Sequence, residues 1–337
     1  MSADQSPPAG PRASVIVPTH HGAGRLPDLL DALVGQDEGD FEVIVVVDGA
    51  DSVVLDVLAS YRDRLTLTTL VNEANEGVGA ALARGYARAN SPILIRCDDD
   101  ITPPPTFISG HLAWHEEGTD RGIVSATRDR FEDSAYARGY GRWATDEGLR
   151  QTYALAPDQR WSAWAACNST RRDSYERVGG FDSDLTYSED LDLGYRLWRG
   201  GVEIIVDPAL EVVHRGPLTT AAQRVRRAYV SGVARREFWR CHPAAAASAH
   251  RDASARRAPR ERVWAALVAM VAMLVRSPRS ATRLGEVADC VLARGPLRIA
   301  RRVVALAVQA SGRAGRRDSA VASWERAREA GLQPTHR

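Results

Sequence analysis

Between Ala13 and Cys97 the apolar positions change rhythm repeatedly. ASVIVPTHH is a short apolar run that Pro18 should end, the mark of a buried strand. GRLPDLLDALVGQ repeats leucine at positions 26, 29, 30 and 33, the spacing of one helix face. FEVIVVVDGAD is a second, almost wholly apolar strand ending at Asp48. VVLDVLASYRDR is helix-like, LTLTTLVN is a third strand, EGVGAALARGYARAN is a glycine-led helix, and PILIRC is a fourth strand. Strands apolar on both faces, alternating with helices, predict an α/β fold with a mixed, mainly parallel sheet covered on both sides. Ligands of such sheets bind beyond the carboxyl ends of the strands. His20, Asp48 and Asp98 all fall there.

Further along, residues 127–166 lose periodicity and are rich in Arg, Tyr and Trp. That predicts a lid or binding loop, with the aromatics from Tyr136 to Trp164 as a candidate acceptor or sugar wall. RRDSYERVGGFD predicts a short helix and turn. SEDLDLGYRLWRGG predicts a helix with Ser188 as N-cap and Gly200 as stop. VEIIVDPALEVVHRG predicts two short strands around Asp207-Pro208. After Gly216 comes the basic AAQRVRRAYVSGVARREFWRCH, then PAAAASAHRDASARRAPR, which reads as a linker. The apolar run from Val263 to Val275 has 13 residues, whereas a spanning helix needs about 20, so a buried or interfacial helix is expected. The predicted organisation is a disordered tail over 1–12, an α/β domain over 13–215, a basic helical region over 216–311 and a flexible tail over 312–337.

Charge sharpens this division. Of 337 residues 44% are hydrophobic, enough for a full core. The net charge of +1 conceals 20 Arg against 35 Asp and Glu up to residue 215, and 24 Arg against 8 beyond it. Lysine is absent, a coding bias that accounts for arginine use but does not sort charge by position. The basic region leaves two readings open: peripheral contact with an anionic membrane, or packing on the acidic first domain. No recognition motif accompanies the charge, so nucleic acid is not an expected partner. Four scattered cysteines with no CxxC pair argue against a disulfide framework and structural zinc, and fit reduced thiols in a cytoplasmic protein. The N-terminus has no apolar core of a signal peptide.

The chemistry concentrates in CDDDITPPP. Three adjacent carboxylates repel one another and call for a positive partner. Mg²⁺ and Mn²⁺ bind carboxylate oxygens together with substrate phosphates. In an extended chain Asp98 and Asp100 would converge while Asp99 turns aside. The alternative is an acidic turn capping the next helix. Glu189 and Asp190 open a helix, where negative charge either stabilises the helix dipole or serves as a base. His214, at a strand end, is either structural or a third metal ligand. NEGVGAALARG lacks GxGxxG spacing, and no phosphate loop, GxSxG elbow or HExxH helix is present.

In this order the motifs resemble an inverting family 2 glycosyltransferase of GT-A fold, over about Ala13 to Arg215. SVIVPTHH resembles the strand whose end holds the nucleotide base, which implicates Pro18, Thr19 and His20. VVVDGAD resembles the segment whose aspartate, here Asp48, contacts base or ribose, and NEGVGAALARG the next nucleotide-side loop, with Asn75 and Gly79. CDDDITPPPTF resembles the DxD motif. The resemblance makes Asp100 the principal metal ligand, gives Asp98 to the ribose or the metal, and leaves Asp99 on the donor side. ACNSTRRDSYERVGGFD resembles the acceptor-side segment, and SEDLDLGYRLWRGG the ED motif, with Asp190 as base beside Glu189. His214 matches a strand-end metal ligand. The resemblance implies Mn²⁺ or Mg²⁺, a nucleotide-sugar donor, and a glycan, polyprenyl-linked or small-molecule acceptor in cell-envelope glycan synthesis at the inner face of the membrane. Leu82 and Ala83 stand where many relatives carry Arg-Asn, which leaves Arg84 as a substitute. QxxRW and multi-pass helices are missing, so a single addition is expected. The competing classes are a sugar-nucleotide-forming nucleotidyltransferase and a catalytically silent binding module.

Overall fold

The computed structural model describes residues 10–116, 119–182, 185, 188–246 and 259–318. Its strands are β1 (Ala13–Thr19), β2 (Phe41–Asp48), β3 (Leu67–Asn72), β4 (Ile93–Cys97), β5 (Ile101–Thr102), β6 (Arg121–Val124), β7 (Thr127–Asp129), β8 (Cys167–Arg171), β9 (Glu203–Val206) and β10 (Val212–His214). A seven-stranded sheet has the order β3-β2-β1-β4-β8-β6-β9, and β8 runs against both of its neighbours. The expected mixed, mainly parallel sheet is therefore present. The apolar run of β1 does not end at Pro18. Pro18 continues the register with β2 opposite Val46, and the ladder to β4 stops before it, at Ile16.

The chain separates into two compact units, with junctions at Arg128/Asp129, Glu147/Gly148 and Arg215/Gly216. In the first unit, strand alternation sorts side chains to two cores. Val15, Val17, Val43, Val45 and Ile95 join the leucines of α1 (Leu26–Val34) on one face. Ile16, Ile44, Val46 and Leu94 face α3 (Val78–Arg88) and α7 (Glu189–Arg199) on the other. Arg96 has the parity of Leu94, so it too points to the α3 and α7 side. Ser188 precedes α7 as expected but does not cap it. Its backbone is left-handed, with φ of 66°, and its hydroxyl accepts nothing from the helix.

The stretch expected to be a lid is largely helical. It contains a π-helical turn (Ala137–Gly141), α5 (Arg142–Tyr153) and a 3₁₀ segment (Pro157–Ala163). Periodicity could not reveal α5 because Leu149 is its one buried residue among the twelve. Residues 129–147 belong to the second unit, although the sequence grouped them with the first. Tyr136 and Tyr140 are core residues there, packed with Leu292 and Val304, and do not form a sugar wall. That unit also contains α8 (Ala221–Cys241), α9 (Pro259–Leu274), α10 (Pro278–Arg294) and α11 (Leu297–Gly315). The Asp289 carboxylate accepts the Ala221 and Ala222 amides and so ties α10 to the start of α8. Among the described residues no helix is long and apolar enough to cross a membrane. The expected tail over 1–12 falls outside the described residues as far as position 9, and the expected linker does so over 247–258. The tail expected from Gly312 does so from 319, whereas Gly312–Gly315 complete α11.

Helix α3 lies directly on the sheet through Gly85, where an added Cβ would meet Ile16 Cγ2 at 2.5 Å and Val46 Cγ2 at 3.1 Å. Both contacts are stiff β-branched groups. Gly85→Ala is expected to destabilise the chain by about 1–2 kcal/mol despite the better helix propensity of alanine, read from urea unfolding.

Candidate active site

The turn after β4 distributes the three carboxylates. Ile101 N–H donates to the Asp98 carbonyl at 3.1 Å, so residues 98–100 form a turn and not an extended segment. The alternation argument for a converging Asp98 and Asp100 therefore fails, and each carboxylate meets a different basic side chain. Asp98 accepts from Arg96, Nε at 2.8 Å and Nη2 at 3.2 Å. Asp99 accepts from Arg25, Nε at 2.9 Å and Nη2 at 2.8 Å, and from Thr19 Oγ1 at 2.5 Å. Asp100 Oδ2 lies 3.1 Å from His214 Nε2.

Arg96 joins two of the candidate carboxylates. It is 1% exposed, and its third nitrogen, Nη1, donates to Asp190 Oδ1 at the start of α7. The Asp98 and Asp190 side chains are 21% and 22% exposed, so the pair borders solvent over a buried cation. Burial disfavours the guanidinium charge, but Asp190 and Asp98 outweigh it and hold Arg96 firmly protonated. Glu189 lies deeper and packs beside Gly79. Burial first, then the neighbouring Asp190, pushes its carboxyl up to about 8, so it carries a proton at neutral pH.

Strand pairing brings Asp100 and His214 together. β10 runs antiparallel to β5 with His214 opposite Ile101, and Arg215 N–H donates to the Asp100 carbonyl at 2.9 Å. Backbone ladders thus hold the imidazole beside the last aspartate. Burial raises the Asp100 pKa, but His214 and Arg25 outweigh it and hold the group below the usual carboxylate range. Burial dominates at Asp99 and raises its pKa against Arg25 and Thr19. One carboxylate and one imidazole suit a divalent ion completed by substrate phosphates. Asp98 is not brought to them, and among the described residues no group of three or more His, Cys, Asp or Glu side chains could hold a metal.

The nucleotide-side residues line the strand ends. Pro18 and Thr19 are buried and His20 is exposed, with its Nδ1 donating to the Asp48 carbonyl at 2.6 Å. The Asp48 carboxylate accepts from Asn72 and from the Glu76 and Gly77 amides at 2.8–2.9 Å, which shapes the loop carrying Asn75. Arg84 donates to the Val71 carbonyl at 2.7 Å and to Asn72, so it ties α3 to β3. Sequence reasoning missed Arg96 and Arg25. A charged residue inside the apolar run PILIRC was the available signal for Arg96. Arg25 had none, because its partner Asp99 is 74 positions away.

Comparison with known proteins bears on the family and the fold. Residues 14–179 match the family model described as glycosyl transferase family 2. A validoxylamine A glucosyltransferase of Streptomyces hygroscopicus subsp. jinggangensis is 31% identical, with 58% of this chain and 53% of the relative covered. An undecaprenyl-phosphate 4-deoxy-4-formamido-L-arabinose transferase of Pseudomonas fluorescens is 28% identical over 37% of this chain and 38% of its own. The chain spans about half the length, or less, of these curated relatives. Among solved structures, a mannosyltransferase from Pyrobaculum calidifontis in complex with GDP-Man and Mn²⁺ superposes with a TM-score of 0.58 at 22% identity, covering 91% and 88% of the two chains. S. aureus TarS 1-349 in complex with UDP-GlcNAc gives 0.51 at 16%, covering 90% and 92%. These structural likenesses establish a GT-A fold.

Two outcomes follow from the buried charges. Arg96→Met leaves Asp98 and Asp190 without their shared cation and is expected to cost about 3 kcal/mol in urea unfolding, with Arg96→Lys between it and wild type. Glu189 is protonated in the folded chain up to about pH 8 but ionises near 4.5 when unfolded. Between those values the native state holds the extra proton, so this group's contribution to stability falls as pH rises, by up to about 1.4 kcal/mol per pH unit. Chemical denaturation across that window should show Glu189→Gln gaining stability over wild type toward the alkaline end.

Proposed function

We propose that this chain, whose residues 14–179 belong to glycosyl transferase family 2, transfers one sugar from a nucleotide-sugar donor to an acceptor hydroxyl with inversion at the anomeric carbon. The observation that carries this reading is the pairing of Asp98 and Asp190 across one buried arginine, with Asp100 on the same turn as Asp98 and beside His214 of β10. Asp190 is positioned by Arg96 at the solvent border, where it takes the acceptor proton. The acceptor oxygen bonds to the anomeric carbon as the bond from that carbon to the diphosphate breaks on the opposite face. Glu189, buried and protonated, packs the start of α7 and keeps the base in place.

Asp100 and His214 would hold Mn²⁺ or Mg²⁺, which when bound neutralises charge gathering on the departing nucleoside diphosphate. In this reading the nucleotide lies over the ends of β1 and β2. His20 and the Asn75 loop border it, and Thr19, Asp48 and Asp99 build the floor beneath. The validoxylamine relatives support a small-molecule acceptor, and the undecaprenyl-phosphate relatives support a lipid-linked or cell-envelope one. We place the protein on the cytoplasmic side, with its basic second unit against an anionic membrane.

Release of nucleoside diphosphate from a panel of sugar nucleotides, with and without Mn²⁺ or Mg²⁺ and with the acceptor classes above, tests the reading. Asp190→Asn should lower turnover at least about 100-fold while calorimetric donor binding persists. Asp100→Ala should lose metal-dependent donor binding. Wild-type chain that binds the donor yet turns over with none of the acceptors would be a silent binding module. Wild-type chain that binds no nucleotide with metal present would remove the basis of the assignment.

A further inference from the structure

Three helix faces of the second unit converge on a cavity of about 730 Å³. Arg224, Arg227 and Arg235 enter it from α8 at the spacing of a single face, Arg313 and Arg316 from α11, and Trp264 from α9. Five guanidinium groups therefore share one concavity, and Glu261 is the sole acid among its described lining residues.

The crossing of α8 and α11 enforces this crowding. Gly232 lies against the Gly312 carbonyl, and Gly315 against the Tyr229 carbonyl, so closely that neither position has room for a Cβ. Small residues allow such a backbone-to-backbone approach, and it brings Arg235, one turn past Gly232, into the field of Arg316, which follows Gly315. Burial, and then Arg316, lower the Arg235 pKa. Burial, and then Arg313 and Arg317, do the same to Arg316. Among the described residues no carboxylate pairs with Arg235 or Arg316. Gathered like charges oppose folding until an anion compensates them, and forked guanidinium groups match phosphate oxygens two at a time.

We propose that this cavity binds a phosphate or diphosphate group. A soluble phosphorylated compound and a lipid headgroup both offer that chemistry. The outer face of α9 favours the lipid. Val263, Leu267, Met270 and Leu274 recur along it at helical spacing, and all are exposed, Leu274 by 76%. An apolar stripe beside a basic cavity suits acyl chains beside a phosphate. The site lies wholly in the second unit and does not depend on the transferase reading. It gives the membrane contact proposed above a defined headgroup site.

The test uses the full chain in chelator-containing, metal-free buffer, so that the Asp100 side is not loaded. Inorganic diphosphate should bind saturably by calorimetry and raise the melting temperature. Arg235→Gln/Arg316→Gln should weaken binding at least tenfold, with the unliganded melting temperature unchanged or higher because repulsion has been removed. Arg316→Gln alone keeps every backbone contact of α11 and should show a smaller loss in the same direction. Arg298→Gln/Arg302→Gln removes equal charge outside the cavity and should bind as wild type. Preferential flotation with phosphatidic acid vesicles over phosphatidylserine vesicles of matched charge, competed by diphosphate, would identify the lipid source. Diphosphate binding without that preference would identify a soluble one. Absence of diphosphate binding, or equal losses in the cavity and control variants, overturns the site, and vesicle recruitment in that case would be surface electrostatics alone.

Discussion

A guanidinium buried inside a parallel sheet forces the structure around it to supply negative charge, because an unpaired buried ion costs several kcal/mol. Arg96 is that ion. Its parity on β4 aims it at α3 and α7, away from the leucines of α1. The chain answers twice: the turn after Cys97 brings Asp98 back onto it, and α7 begins so that Asp190 reaches it. The base of the proposed reaction is therefore positioned by the same interaction that lets β4 keep its charge. Stability and chemistry share one contact here.

The same electrostatic rule explains how three adjacent aspartates coexist. Each meets a separate basic side chain, and the three partners come from different parts of the chain: Arg96 within β4, Arg25 at the start of α1, and His214 on β10. Gly22 makes the Arg25 arrangement possible, since an added Cβ there would collide with Thr19 Oγ1 and Asp99 Oδ2. Asp99 is consequently a structural anchor. Asp98 and Asp100 diverge, one toward Arg96 and Asp190 and one toward His214.

The second unit obeys the opposite economy of charge. Its arginines are gathered by glycine-mediated helix crossings into a cavity with little acid to balance them. Its apolar helix α9 presents hydrophobic residues to its surroundings as well as to the bundle. Both features are unfavourable for an isolated bundle and become favourable against an amphipathic anionic surface.

Sequence alone determined the alternation of strands and helices in the first unit, because two-sided burial in a parallel sheet leaves continuous apolar runs that pattern reading detects. It also placed the carboxylates at the carboxyl ends of strands, and the order of motifs pointed to the family whose model matches residues 14–179. Tertiary structure decided how those carboxylates are partnered. Side-chain direction at Asp98–Asp100 depends on a turn, and the partners Arg25 and His214 are remote in the chain, so local spacing carried no trace of them. Residues 129–147 were misassigned for a related reason. Their buried tyrosines pack on α10 and α11, more than 140 positions later, and α5 has no apolar stripe of its own to announce it. Periodicity reports burial along one element, whereas pairing between distant elements exists only once the chain has folded.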